Sequence, residues 1–171
     1  QNLVGRLKVR AIFIADAHLR DTADQRYRHL INFLDEIKKG EIGNLIPAQP
    51  IKKATFIDDL YFAGDLLEFW FCSKEKIHPE FIQLINKLIE LQSCGIRIHL
   101  SEGNHDFYLR EYFHDVLGME VYEEWAYVKM DGLRTMIAHG DTIDTSNKKY
   151  LFLRKLLRSS AFYQFQRFIP A

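Results

Sequence analysis

Short apolar runs alternate along the chain with longer stretches whose apolar residues recur at helical spacing. Runs 11–15 and 60–63 are short and continuous, which predicts buried strands, and residues 96–100 fit a third strand. Stretches 26–39 and 79–94 repeat apolar residues every three or four positions, and a glycine follows each. This alternation predicts an α/β fold in which the sheet is covered on both sides.

The later part of the chain has a different pattern. Residues 112–117 fit a short helix, and the apolar stretches 121–130 and 133–138 flank the dipeptide Asp131-Gly132, which predicts a hairpin. From residue 148 onward the spacing is helical again. We therefore expect a hairpin and a C-terminal helical region after the three strand–helix units.

Residues 40–59 contain Gly43, Pro47 and Pro50 and follow neither period, so we predict a surface insertion there. No internal repeat or low-complexity segment divides the chain. We therefore expect residues 1–171 to form a single domain.

The composition indicates a globular protein without a nucleic-acid partner. Apolar residues make up 47% of the 171 residues, and 23 basic residues balance 23 acidic ones. Cys72 and Cys94 lack metal-binding spacing, so we expect free thiols and a reducing, cytoplasmic location. No apolar run approaches the ~20 residues of a membrane span.

Polar clusters follow four of the predicted strands at the point where each strand ends. Because ligands bind at the carboxyl ends of strands in α/β sheets, we expect these clusters to converge on one site. They are Asp16-Ala-His18, Gly64-Asp65, Gly103-Asn104-His105-Asp106 and His139-Gly140-Asp141.

Carboxylate, amide and imidazole ligands together suit Mn, Fe or Zn. A carboxylate is needed to bridge two ions, and Asp65 is the natural candidate. Two divalent ions ~4 Å apart can activate water and hold both oxygens of a displacement at phosphorus. His105 could protonate a leaving oxygen, with Asp106 holding its tautomer. Each cluster alone is a weak signal, but their order along the chain predicts a two-metal phosphoesterase.

The ordered motifs DxH, GD, GNHD and HGD resemble the calcineurin-like metallophosphoesterase superfamily. Three further features are similar to the family of UDP-2,3-diacylglucosamine diphosphatases of the bacterial lipid A pathway. These are the stretch Leu66-Leu-Glu-Phe-Trp70, Phe107 after GNHD, and Tyr150-Leu-Phe-Leu-Arg154 after HGD. The similarity extends from Ala11 to about Pro170.

The resemblance implies a four-layer α/β-β/α sandwich with a di-manganese site, in which Fe or Zn could replace Mn. It implies cleavage of a nucleotide-linked glycolipid to UMP and 2,3-diacylglucosamine 1-phosphate. Carried over by position, Asp16 and His18 bind the first metal and Asp65 bridges. Asn104 and His139 bind the second metal, and Tyr150 and Arg154 meet substrate.

Two departures from the family keep alternatives open. The family ends in a Gly-His-x-His motif, whereas no His follows His139 here. We therefore expect a sandwich that is truncated at its C-terminus, or a metal-deficient scaffold if the chain is complete. Members of the diphosphatase family also often carry Arg where this chain has His105. That difference leaves room for another nucleotide or a phosphoprotein as substrate.

Residues 148–169 form a basic amphipathic region, since no acidic residue follows Asp144. One interpretation is contact with anionic lipid at the inner membrane surface, which would suit a lipid substrate. The other is a helix that packs on a further C-terminal segment.

Several acidic residues allow two interpretations. Asp21 and Asp24 could extend the metal site, although capping the following helix is more common for such residues. Asp58 and Asp59 precede a strand and fit solvated loop charges. Glu68 could contact substrate or begin a helix, and Asp141 could support His139 or shape a turn.

Overall fold

The computed structural model describes residues 10–40, 57–70, 72, 76–130 and 132–166. The predicted insertion lies mostly in 41–56, outside the described residues, as do the turn residue Asp131 and the predicted helical positions 167–169. The described elements are β1 (Ala11–Ile14), α1 (Gln25–Lys39), β2 (Asp59–Ala63), α2 (Pro79–Ser93), β3 (Arg97–Ser101), β4 (Glu120–Tyr122), β5 (Ala126–Met130), β6 (Leu133–Ile137), α3 (Lys148–Leu157) and α4 (Ser160–Gln166).

Strands β1 to β4 form a parallel sheet in the order β1-β2-β3-β4. Parallel neighbours need crossover connections, and α2 supplies one between β2 and β3. The carboxyl ends of β1, β2 and β3 therefore lie together at one edge of the sheet. The predicted α/β class is confirmed.

Helices α1 and α2 cover one face of the sheet. Their apolar positions at helical spacing, such as Leu34 and Leu88, are fully buried against Leu60 and Phe62 of β2. The N-cap of α1 is Asp24, whose side chain accepts from the Arg26 amide, so its predicted capping role is confirmed. The helix ends at Gly40, which has the left-handed conformation that glycine adopts readily.

The antiparallel pair β5–β6 covers the opposite face. Ala126 and Ile137 are buried in a small apolar cluster with Tyr61 of β2. Because strand side chains alternate between faces, Leu60 and Phe62 point to the helices while Tyr61 points to the hairpin. The hairpin ends just before His139, and this places a second chain segment beside the carboxyl edge of the parallel sheet.

One local prediction was wrong, and a second was right about a short helix but not about its type and bounds. The stretch 121–130 is not one hairpin arm, because β4 joins the parallel sheet beside β3 and only β5 pairs with β6. The short helix predicted at 112–117 is a π-helical turn at Arg110–His114 that continues into hydrogen-bonded turns. Periodicity alone does not fix the type or the bounds of apolar stretches as short as these.

The C-terminal helical region is two helices, α3 and α4, with a turn at Arg158 and Ser159. Of the helices described, none has the length and apolar character required to cross a bilayer. Cys72 is buried and Cys94 is exposed, and both are free thiols as predicted.

Candidate metal centre

The side chains predicted to bind metal meet at the carboxyl edge of the parallel sheet. Asp65, which follows β2, lies at the centre and is only 2% exposed. One of its carboxylate oxygens is 3.6 Å from Nε2 of His18 and 3.4 Å from Nε2 of His139. The other oxygen accepts a 3.0 Å hydrogen bond from the backbone N–H of His105. Asn104 completes this contact set, since its Oδ1 lies 3.1 Å from Nε2 of His139.

Within the part of the chain that the structure describes, two groups of three side chains could each hold a metal ion, and Asp65 belongs to both. One group contains His18, Asp65 and His105, and the other contains Asp16, Asp65 and His139. Within each group the ligand atoms lie within 4.8 Å of one another. The oxygen and imidazole donors fit the borderline divalent ions that the sequence predicted.

The grouping differs from the assignment that the family resemblance implied. Asp16 lies with His139 rather than with His18, and His18 lies with His105. Each group combines residues from different motifs around the shared Asp65. The order of the motifs along the chain therefore does not determine which residues would bind the same ion. The assignment of individual ligands to the first and second metal stays a prediction.

Three of the ligand candidates have a strained backbone. Asp16, His18 and Asp65 have φ values of 53°, 47° and 51°, which fall in the left-handed region that non-glycine residues rarely adopt. Such conformations cost on the order of 1–3 kcal/mol each and cluster at functional sites. Strained residues directly after β1 and β2 therefore favour a ligand-binding role for this edge.

Two glycines allow the ligands to approach this closely. A Cβ atom at Gly64 would lie 2.5 Å from Nδ1 of His139, and a Cβ atom at Gly103 would lie 2.0 Å from Oδ1 of Asp65. Gly64 also has a φ of 98°. Any other residue would therefore displace His139 or Asp65.

Asp106 is a structural anchor of the site. It is fully buried, and its two carboxylate oxygens accept 3.0 Å hydrogen bonds from the backbone N–H groups of Asp65, Leu67 and Gly103. Burial raises the pKa of Asp106 to about 7. The three backbone donors lower this pKa, and the nearby carboxylate of Asp65 raises it. The carboxylate thereby ties the turn after β2 to the turn after β3.

The expectation that Asp106 holds the His105 tautomer is therefore corrected, because its oxygens face backbone donors. Nδ1 of His105 lies instead 3.1 Å from the carbonyl oxygen of Glu68. A carbonyl oxygen only accepts hydrogen bonds, so Nδ1 carries the proton. Nε2 of His105 is then the nitrogen left for a metal or a substrate.

Glu68 takes part in the site in a way that the sequence did not reveal. Its carboxylate lies 3.2 Å from Nδ1 of His18 and 3.4 Å from the guanidinium of Arg20. The pairing of β1 with β2 continues past the strand ends through a parallel bridge between Leu19 and Leu67, which places Glu68 there. No helix begins at Glu68. A carboxylate on the second imidazole nitrogen is the usual support for a metal-binding His.

Tyr150 and Arg154 lie on α3 beside the loop that carries His139. The Tyr150 hydroxyl and Nε of Arg154 each donate a 2.7 Å hydrogen bond to Asp141. Burial tends to raise the pKa of Asp141, but these two partners outweigh it and hold that pKa below its ordinary value. Asp141 therefore joins α3 to the loop after β6.

A cavity of about 130 Å³ lies between α3 and the loop after β3. Tyr150, Arg154 and Arg158 line it together with Asn104, and the apolar side chains of Phe107, Leu153 and Leu157 complete its walls. The cavity thus joins a ligand candidate to the two residues predicted to meet substrate. Their role in binding stays a prediction.

A family profile described as calcineurin-like phosphoesterase matches residues 9–166. Among curated proteins, a relative from Nitrosococcus oceani is 28% identical over 87% of this chain and 53% of its own length. A relative from a Shewanella strain is 33% identical over 90% of this chain and 56% of its own length. A third, from Porphyromonas gingivalis, is 33% identical over 58% of this chain.

All three relatives carry the name UDP-2,3-diacylglucosamine hydrolase. The chain spans about half the length of the first two. These similarities agree with the motifs at the carboxyl edge of the sheet and with the class of fold.

Proposed function

Since the chain belongs to the calcineurin-like phosphoesterase family, we propose that it hydrolyses a phosphoester or pyrophosphate bond with the help of two divalent metal ions. The observation that carries this proposal is the position of Asp65. Its carboxylate lies in both groups of ligand atoms and is held by the backbone of His105. A carboxylate shared in this way is what a two-metal centre requires.

The ligands of the proposed centre would be Asp16, His18, Asp65, Asn104 and His139. Bound metal would act as a Lewis acid toward the phosphoryl group and lower the pKa of an attacking water. Manganese is the proposed metal, and iron or zinc would also accept this set of oxygen and imidazole donors.

The side chains of the protein would prepare the reacting groups. Glu68 orients the His18 ring, while Asp106 holds the turns on which Asp65 and His105 sit. His105 keeps its Nδ1 proton on the Glu68 carbonyl, so Nε2 is available to donate to a leaving oxygen when the ring is protonated. The fixed geometry of these groups is the main contribution of the fold to catalysis.

The proposed substrate is UDP-2,3-diacylglucosamine, which would give UMP and 2,3-diacylglucosamine 1-phosphate. The names of the relatives support this substrate class. The cavity beside Asn104 also supports it, because its apolar walls adjoin a cation at Arg154. A nucleotide-linked glycolipid presents both apolar and anionic groups to such a surface.

We further propose that α3 and α4 contact the membrane surface from which a lipid substrate would come. Phe152 is 71% exposed and Phe165 is 64% exposed, and Leu153 and Leu156 are about half exposed. Basic side chains of the same region would attract anionic headgroups. Sedimentation with anionic and with neutral vesicles tests this part. Equal partition to both, or to neither, would contradict it.

Metal analysis and product detection on the purified protein test the proposed reaction. We expect two manganese ions per chain and UMP release from UDP-2,3-diacylglucosamine. Asp65→Asn should lower kcat by at least ~10²-fold, because it removes the charged ligand that both ions would share. Removing one group that stabilises charge in a transition state commonly has an effect of this size. Asp58→Asn, a change of the same type away from the site, should leave kcat unaltered. Equal activity of both variants would contradict the role of Asp65.

A second candidate substrate is another nucleotide or a phosphoprotein, because His105 stands where the diphosphatase family often has Arg. Hydrolysis of bis-p-nitrophenyl phosphate without UMP release from the glycolipid would favour this alternative. Fewer than two metals per chain in a metal-replete sample, with no turnover of either compound, would favour a scaffold that lacks activity.

A further inference from the structure

A largely buried arginine after α3 contacts the loop that carries Asn104 and His105. One terminal nitrogen of Arg158 donates a 2.8 Å hydrogen bond to the carbonyl oxygen of Gly103. The other donates at 2.7 Å to the carboxylate of Glu102 and at 3.3 Å to the carbonyl oxygen of Glu123. The guanidinium therefore contacts the two residues that immediately precede Asn104.

The same loop is closed at its far end through Glu102. The Glu102 side chain is 3% exposed, and its second oxygen accepts a 2.8 Å hydrogen bond from the backbone N–H of Leu109. The Arg158 guanidinium also lies over the ring of Phe107, 5.3 Å from its centroid. Arg158 thus contacts the loop before and after the segment of Asn104, His105 and Asp106.

Reciprocal contacts fix the turn between α3 and α4 on this loop. The Tyr108 hydroxyl donates a 2.9 Å hydrogen bond to the carbonyl oxygen of Ser159. Tyr108 has a φ of 63°, so the loop adopts a strained conformation where it meets the turn. Contacts in both directions therefore join the loop to the turn after α3.

We propose that Arg158 is a positioning residue, which sets the orientation of Asn104 and His105 toward the metal centre of the proposed function. It acts through Glu102 and the Gly103 carbonyl and does not itself bind the metal. Without the guanidinium, Glu102 would be a buried carboxylate without its cation, and such a group forces local rearrangement. The rearrangement would reach Asn104 directly, since Gly103 is its neighbour.

Manganese titration by calorimetry tests the proposal without depending on turnover. Arg158→Ala should weaken the affinity of the weaker-binding ion ~10- to 100-fold, which is the usual effect of removing a support of a metal ligand. Arg158→Lys should fall between wild type and Arg158→Ala. A lysine can pair with Glu102, but it lacks the fork that also reaches the Gly103 carbonyl. Arg28→Ala, at an exposed arginine of α1, is the matched control and should not change the affinity.

Kinetics separate positioning from direct contact with substrate. A positioning residue should lower kcat and leave KM within about twofold, because the displaced loop harms the reacting geometry. A raised KM with unchanged metal affinity would overturn the proposal and make Arg158 a substrate contact. Thermal unfolding of each variant identifies a folding defect. If Arg158→Ala does not fold, the metal affinity and kinetic constants of Arg158→Lys test the proposal.

The proposal can fail independently of the function on which it rests. If wild type binds two ions and Arg158→Lys and Arg158→Ala bind them equally well, only the positioning role is overturned. If wild type binds no metal, the proposed function fails and the role of Arg158 fails with it.

Discussion

The two faces of the parallel sheet bury different kinds of side chain. Under α1 and α2 the sheet contributes aliphatic and aromatic residues such as Leu60, Phe62 and Leu100 to a large apolar cluster. Under the β5–β6 hairpin the buried apolar cluster contains Tyr61, Ala126 and Ile137. The polar side chains of Asp59, His99 and Ser101, which alternate with the helix-facing residues, are buried as well.

On the hairpin-covered face, polar contacts and stacked rings replace part of the apolar packing. Asp59 pairs with both nitrogens of the Arg97 fork at 2.7 Å and lies 2.8 Å from Nε2 of His99. The rings of Phe13, Tyr61 and His99 are stacked across three strands with interplanar angles of 11°. Polar networks require specific partners, so substitutions on this face should destabilise the protein when they change a polar group. Substitutions on the helix-covered face should destabilise it when they change side-chain volume.

The largest effect should come from a cavity on the helix-covered face. Leu88→Ala removes a fully buried side chain of α2, and we expect the free energy of unfolding to fall by ~2–5 kcal/mol. Ile82→Ala on the same helix, where the side chain is 46% exposed, should cost much less. Urea unfolding of both variants measures the difference. Similar losses would mean that burial on this face does not determine stability.

A smaller loss should follow from removing one charge on the hairpin-covered face. Asp59→Asn leaves the Arg97 and His99 partners without their carboxylate, and we expect a loss of ~1–3 kcal/mol. The matched control is Asp58→Asn, because Asp58 is partly exposed and its ion pair with the Arg10 side chain is long, at 3.9 Å. Its carboxylate also accepts a 3.0 Å hydrogen bond from the Arg10 backbone N–H, which an Asn side chain can still accept. A surface pair of this kind contributes ~0–1 kcal/mol. Equal effects of the two variants would remove the distinction between the faces.

The contribution of Asp59 should also depend on pH. Burial tends to raise the pKa of Asp59, but hydrogen bonds from Arg97 and His99 outweigh it and hold the pKa below the ordinary value of 3.8. Its stabilisation is therefore present above pH 3.8 and is lost as the pH falls through the lowered pKa. Urea unfolding of wild type and Asp59→Asn at several pH values should show a constant gap from pH 7 to 5. The gap should close in stronger acid. A gap that widens there would contradict the predicted direction of the pH dependence.

Much of the helix-covered face could be predicted from the sequence, because helical spacing and continuous apolar runs describe burial directly. The other face could not be predicted in the same way. The sequence favours a solvated loop charge at Asp59, because a carboxylate next to Asp58 carries no sign of its buried partners. Arg97 and His99 belong to another strand, and only the parallel register brings them opposite Asp59 and Tyr61.

The candidate metal centre also contains residues that the sequence indicates and residues that it does not. Strand ends indicate Asp16, His18, Asp65, Asn104 and His139, because residue type and position both carry information there. The sequence does not indicate Glu68 and Arg158 as supports, because each contacts residues that are distant in the chain. Glu68 reaches His18 through an extension of strand pairing, and Arg158 reaches Gly103 through tertiary packing. Supports of this kind need the three-dimensional structure.

The smallest effect should be the coupling between stacked rings on the hairpin-covered face. Phe13 and Tyr61 stack with their centroids 4.9 Å apart, although Phe13 is 49% exposed. A double-mutant cycle with Phe13→Leu and Tyr61→Leu should give a coupling of ~0.5–1.5 kcal/mol beyond the area that each residue buries. The control cycle pairs Phe13→Leu with Tyr127→Leu, since Tyr127 is 77% exposed. That cycle should be additive within ~0.5 kcal/mol. If the Phe13–Tyr61 cycle were additive too, the ring stack would merely accompany burial, and the polar network around Asp59 would remain as the chemical feature that distinguishes this face.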